Sequence, residues 1–119
     1  MIKVKRAYDS VEAEDGIRFL VDRLWPRGIG KDKLKADAWP KDVAPSAELR
    51  KWFGHDPTKW SEFRSRYVSE LKTNPNGWLP IDEAEKKGAV TLIYDAIDEK
   101  HNNAAALREF LQTRLTSAK

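Results

Sequence analysis

The chain has 119 residues and no cysteine, with 22 lysine and arginine side chains against 19 aspartates and glutamates, a formal net charge of +3. That length suits one α/β-sized domain, residues 1–119, with a core of two or three layers, and the lack of cysteine excludes thiolate nucleophiles, zinc ribbons and disulfides together. The charges are interspersed, so a pI near 9.2 permits nucleic-acid contact without demanding it.

No apolar stretch approaches the roughly 20 residues of a membrane span, and Met1-Ile2-Lys3-Val4-Lys5-Arg6 lacks a signal-peptide core. A soluble cytoplasmic protein with no membrane partner is expected. Ile2, Val4 and Tyr8 alternate with Lys3 and Lys5, which reads as a half-exposed strand near an edge. Asp15-Gly16 signals a turn before a second strand over Ile17 to Leu24. The segment from Asp9 to Gly16 is short for a helical crossover, so an antiparallel pair and an abbreviated parallel crossover both fit these two strands.

About sixty residues of helical periodicity follow. Ser46 suits the N-cap of a short helix through Leu49, Trp52 and Phe53, closed by Gly54. Asp56-Pro57 opens the next helix, with Trp60, Phe63, Tyr67 and Leu71 on one face and Glu62, Arg66 and Glu70 as i,i+4 partners on the other. Pro75 to Gly77 reads as a loop, leaving Trp78 as a partly exposed anchor, and Ile81 to Lys87 as a helix stopped by Gly88. Ala89 to Tyr94 is nearly continuous and β-rich, as expected of a strand covered on both faces. Asn102 or Asn103 then caps a last helix with Ala104, Leu107, Leu111 and Leu115 inward. Strand, helices, strand, helix predicts a compact three-layer α/β domain, its small and mainly parallel sheet flanked by helices.

In open α/β sheets ligands bind beyond the carboxyl ends of the parallel strands. Two polar clusters lie there: Asp22-Arg23-Leu24-Trp25-Pro26-Arg27-Gly28 after the second strand, and Tyr94 to Asn103 after the third. The second runs into a helix N-terminus, which favours anions. Arg23 and Arg27 are therefore candidate anion ligands, with Asp22, Trp25, Tyr94, Asn102 and Asn103 lining the pocket. The plainer alternative is that the arginines only pair with Asp22 or nearby carboxylates. Trp25 fits both a core lid and a stacking platform. His101 with Asp98 suits an imidazole oriented by a carboxylate for proton transfer, and equally a residue that frames the helix start. His55 reads as part of a turn, and Ser46 as an N-cap. Lys31 to Lys35 reads as a solvated loop or as a basic rim to the pocket. His55, Asp56, Asp98 and His101 lack an established metal-ligand spacing, so no metal is expected. No pattern specifies a cofactor, and the P-loop signature is absent.

Three motifs in order carry a resemblance over nearly the whole chain. Asp22-Arg23-Leu24-Trp25-Pro26-Arg27-Gly28, then Ala44-Pro45-Ser46 with Leu49-Arg50-Lys51-Trp52-Phe53-Gly54-His55-Asp56, then Thr91-Leu92-Ile93-Tyr94 with Asp98 and His101-Asn102-Asn103-Ala104 resemble the YeaO-like family. This is a branch of the bacterial and archaeal group that shares domain of unknown function 488. The resemblance implies a compact α/β domain without an assigned activity. Other branches open the last helix with Cys-His-Arg, where this chain has Lys100-His101-Asn102, so thiol chemistry does not carry over.

The leading expectation is a pocket for a phosphate-bearing small molecule, nucleotide or nucleic-acid end. Arg23 and Arg27 would hold the anion there, and His101 with Asp98 would handle a proton. A non-catalytic nucleotide or nucleic-acid binder is the alternative, with Trp25 stacking and Arg50, Lys51 and Lys31 to Lys35 on phosphates. A protein-interaction module docking through exposed tryptophans is a third.

Overall fold

The computed structural model describes the backbone of residues 1–117 and the side chains of residues 1–114. Three strands, β1 (Ile2–Arg6), β2 (Ile17–Leu20) and β3 (Val90–Tyr94), form a parallel sheet in the order β1-β3-β2. Ile2 and Ile17 both lie opposite Val90 in register. The open question about the first two strands is thus resolved: they are parallel, and β3 separates them. All five β3 residues are buried, the near-continuous apolar pattern of a strand covered on both faces. The second strand ends at Leu20, earlier than the expected Leu24, although Val21 N–H still donates to the Ile93 carbonyl at 3.1 Å.

Alternation along the strands sends side chains to two different cores. On one face Ile2, Phe19, Val21, Val90, Leu92 and Tyr94 pack beneath four helices. These are α2 (Ala47–Phe53), α3 (Trp60–Thr73), α4 (Pro75–Lys87) and α5 (Asn103–Ser117). The other face has a thinner cover. Ala7, Leu20 and Ile93 meet Leu34 of the short helix α1 (Lys31–Leu34), joined by Trp25, Ile29, Ala36 and Trp39. The three layers are therefore unequal, helices on one side and mostly loop on the other.

The crossover from β1 to β2 is closed by charge. Asp15 is fully buried under the sheet and accepts from Lys5 Nζ at 3.0 Å and from an Arg18 guanidinium nitrogen at 2.6 Å. The Asp15 carbonyl takes the Thr91 hydroxyl at 2.8 Å. Burial pushes the Asp15 carboxyl up, but donors from Glu12 N–H, Lys5 and Arg18 outweigh it and leave its pKa below the ordinary value. Next to it Gly16 has φ +64°, and a Cβ there would lie 2.0 Å from the Ala89 carbonyl oxygen, so the turn admits only glycine.

Helix starts follow their chemistry. The Ser46 hydroxyl accepts from Leu49 N–H at 3.1 Å, Gly54 closes α2 in the left-handed region, and Asp56 accepts from Thr58 N–H at 3.0 Å ahead of α3. Phe63, Tyr67 and Leu71 are buried as the periodicity predicts, and Glu62 pairs with Arg66. Glu70 departs from expectation: it accepts both the Ser46 N–H (2.9 Å) and hydroxyl (2.7 Å), tying α3 to the start of α2. The segment read as a loop at Pro75 is the first turn of α4, with Pro75 at N1 and Pro80 tolerated inside. Trp78 is accordingly buried, its indole N–H on the Leu71 carbonyl at 2.8 Å, and is no exposed anchor. In α5, Ala104, Leu107 and Leu111 face the core as predicted, and the Leu115 side chain lies outside the described residues.

Removing the charge at the β1–β2 crossover leaves the buried Arg18 guanidinium without its carboxylate, while Lys5 keeps Glu12 and the Ser10 carbonyl. Asp15→Asn is therefore expected to cost about 3 kcal/mol of stability at pH 7, measured by urea unfolding. The loss should shrink as pH falls through the native Asp15 pKa, below 3.8, because the wild-type carboxylate then protonates as well.

Candidate functional site

The carboxyl ends of β2 and β3 open into a cleft of about 490 Å³, walled on the far side by α2. Its lining joins residues from three separate stretches: Asp22, Arg23, Trp25 and Arg27 after β2; Arg50, Lys51 and His55 from α2 and its exit; and Asp95, His101, Asn102 and Asn103 between β3 and α5. The two strand-end clusters, about seventy residues apart in the chain, do meet. Asp95 N–H donates to Asp22 Oδ2 at 2.9 Å, and the Asn103 amide donates to the Val21 carbonyl at 3.0 Å.

The loop after β2 is held by its backbone carbonyls. Trp39 donates its indole N–H to the Asp22 carbonyl at 2.7 Å, and Tyr8 its hydroxyl to the Arg27 carbonyl at 2.8 Å. Trp25 donates to the Ile29 carbonyl at 2.6 Å and packs edge-on against Trp39, with ring centroids 5.5 Å apart. Trp25 thus belongs to the thin core and to the cleft wall at once. Because carbonyls hold the loop, its cationic side chains are not spent on it. Among the described residues, Arg23, Arg27, Arg50 and Lys51 form no ion pair, and the buried Nε of Arg23 has no hydrogen-bond partner. Elsewhere Arg6, Arg18, Arg64, Arg66 and Arg114 are each engaged by carboxylates or carbonyls. The plainer alternative, that Arg23 and Arg27 only pair with Asp22 or nearby carboxylates, does not hold among the described residues.

Asp22 is a half-buried carboxylate whose pKa burial raises, against the opposing pull of the Asp95 N–H and the Asn103 amide. His101 Nδ1 lies 2.9 Å from Asp98 Oδ2, leaving Nε2 for another partner, and the ring meets Trp60 edge-on at 5.3 Å. The His101 ring, then its backbone N–H and that of Lys100, hold the Asp98 carboxyl down at about 2. Asp98 itself is not in the cleft wall; it positions His101 from behind.

Several expected roles change. Tyr94 is buried and faces a different cleft on the β1 side, with Arg6, Glu99 and Arg108, because its parity in β3 turns it toward α5. Asn102 lines the cleft, but its amide caps α5 through Ala105 N–H (2.8 Å) and donates to the Asp98 carbonyl (3.0 Å). Lys31 to Lys35 lie on the thin-layer side with Leu34 buried, so they form no rim. His55, read as a turn residue, is one: it has φ +57° directly after Gly54. That turn nevertheless puts it in the cleft wall, so both histidines of the chain line one site. No motif spacing signals this; only the break in helical pattern at Gly54 does. Among the described residues no group of three or more His, Asp or Glu is placed to hold a metal ion. Among the described residues, no helix is long and apolar enough to cross a membrane.

Residues 1–119 match the family described as the inactive DUF488-N3 subclade. The chain belongs to this family. It is 41% identical over 112 residues to the uncharacterised protein YeaO of Escherichia coli (strain K12), covering 94% of this chain and 97% of that protein. It is also 38% identical over 113 residues to an uncharacterised protein of Mycobacterium tuberculosis (strain ATCC 25618 / H37Rv), with 95% of each covered. No solved structure matches the chain significantly. The DUF488-N3 match spans all three stretches that build the cleft.

The Asp98–His101 pair gives a direct check on this geometry. In His101→Ala the Asp98 carboxyl should climb from about 2 toward its ordinary 3.8, read by carboxyl NMR titration. The pair's contribution to stability is full above that ordinary value and is lost as pH falls through about 2.

Proposed function

We propose that the protein is a cytoplasmic binding module that holds a phosphate-bearing small molecule or nucleotide in this cleft without turning it over. The observation that carries the reading is the set of four cationic side chains, Arg23, Arg27, Arg50 and Lys51, that line one concavity and form no ion pair among the described residues. Guanidinium groups match phosphate oxygens in planar, two-pronged geometry, and a lysine adds a point charge. The cleft volume of about 490 Å³ lies within the range of small-ligand sites. Its position beyond the strand ends follows the general rule for parallel sheets.

His101, steadied by Asp98, supplies a further donor to the bound anion. The family's description as inactive supports binding over catalysis, with the imidazole in a contact role. An extended nucleic-acid strand fits less well than a small ligand or a strand end. The lysines of α1 that would extend a phosphate track lie away from the cleft.

A thermal-shift series with inorganic phosphate, mononucleotides, a short oligonucleotide and simple carboxylates tests the proposal. A phosphate-bearing compound at about 100 times its Kd should stabilise the fold by roughly 2.7 kcal/mol, and the shift should shrink with added salt. Arg23→Ala and Arg50→Ala should each weaken binding about tenfold or more, and no chemical change of the ligand should accompany it. Absence of a shift with every phosphate compound, or shifts in both variants as large as in the wild type, would overturn it.

A further inference from the structure

Asp22 sits among the cations of the cleft without touching them. Among the described residues it has no ion pair within 4.0 Å, although Arg23, Arg27 and Arg50 line the same space. Its Oδ2 accepts the Asp95 N–H at 2.9 Å, and the Asn103 amide leans on the same carboxylate. An ionised carboxylate offers about four acceptor sites, so two protein donors leave capacity facing the cleft. A bare phosphate bound beside it brings like charge against a half-buried anion, a repulsion that partial burial strengthens. A ligand that presents a donor to Asp22 while its phosphate meets the arginines converts that repulsion into a hydrogen bond to a charged group.

We infer that the cleft selects phosphate esters that also carry a hydroxyl donor, of the sugar-phosphate type, over inorganic phosphate or a simple alkyl phosphate. Asp22 is the residue that sets this preference by accepting the ligand's hydroxyl. The inference rests on the anion-binding reading of the same cleft, and specifies the second half of the ligand.

Calorimetric titration of the full chain with ribose 5-phosphate and with methyl phosphate, at one pH and salt, separates the two ideas. Ribose 5-phosphate should bind about tenfold tighter or more, the usual worth of a hydrogen bond to a charged group. In Asp22→Asn the two ligands should bind within about threefold of each other, with methyl phosphate bound more tightly than by the wild type. AMP added as a third ligand reports whether a base contributes: tighter binding than ribose 5-phosphate assigns the hydroxyls to a nucleotide, and equal binding to a sugar phosphate. Wild-type affinities for ribose 5-phosphate and methyl phosphate within threefold of each other would overturn the role of Asp22 and leave the anion site standing. Failure of every phosphate compound to bind would remove both. The wild-type comparison decides the matter even where the variant does not fold.

Discussion

A buried carboxylate, Asp15, touches all three strands. It grips β1 through Lys5 and β2 through Arg18, and its backbone carbonyl holds the Thr91 hydroxyl of β3. In a sheet ordered β1-β3-β2 the two outer strands are not hydrogen-bonded neighbours, so this residue ties them together across the central strand. Taking a carboxylate, an ammonium and a guanidinium out of water is costly, and the arrangement is tolerable only because nearly every donor has an acceptor. Arg18 illustrates this: its remaining nitrogens reach the Leu34 carbonyl at 2.8 and 3.2 Å. The same arginine thus secures helix α1 and the thin layer that backs the β2 loop. The position of the cleft, beyond the ends of β2 and β3, is inherited from this anchor.

Much of the architecture could be read from residue order because local signals and tertiary packing agree. Ser46, Gly54, Asp56 and Pro57 place α2 and α3, and the run from Val90 to Tyr94 announces a strand buried on both faces. The misreadings share a physical cause. Pro75 and Pro80 look like loop residues, yet Pro75 occupies the first helical position and burial of Trp78 and Ile81 carries the helix past Pro80. Glu70 has the right spacing for an ion pair on its own helix, but an unsatisfied N–H at the start of α2 competes for it and wins. The relation of β1 to β2 depends on Asp15, whose partners lie far apart in the chain, and no local pattern encodes that.

The site divides in the same way. Asp22, Arg23, Trp25, Arg27, His101 and Asn103 were placed together by topology alone, through the rule for strand ends. Tyr94 is close to that cluster in sequence, but strand parity turns it into a different cleft. His55 reaches the cleft because two successive residues adopt left-handed conformations. Helical periodicity can predict where such a turn falls, but not the direction in which it sends the next side chain. Three arginines without an ion pair, Arg23, Arg27 and Arg50, gather in one cleft, a property visible only in three dimensions.

The two ends of the sheet differ in how much change they can absorb. At the amino ends, Gly16 lies so close to Ala89 that no side chain fits, and backbone meets backbone. At the carboxyl ends, indole and amide side chains fasten the loop carbonyls and leave Arg23 and Arg27 free to vary. Substitution at the first end is filtered by folding; at the second it is filtered by what the cleft is asked to hold. A lineage built on this chain could exchange one ligand for another by rewriting a few loop side chains, while the glycine turn and the buried carboxylate beneath it keep the scaffold unchanged.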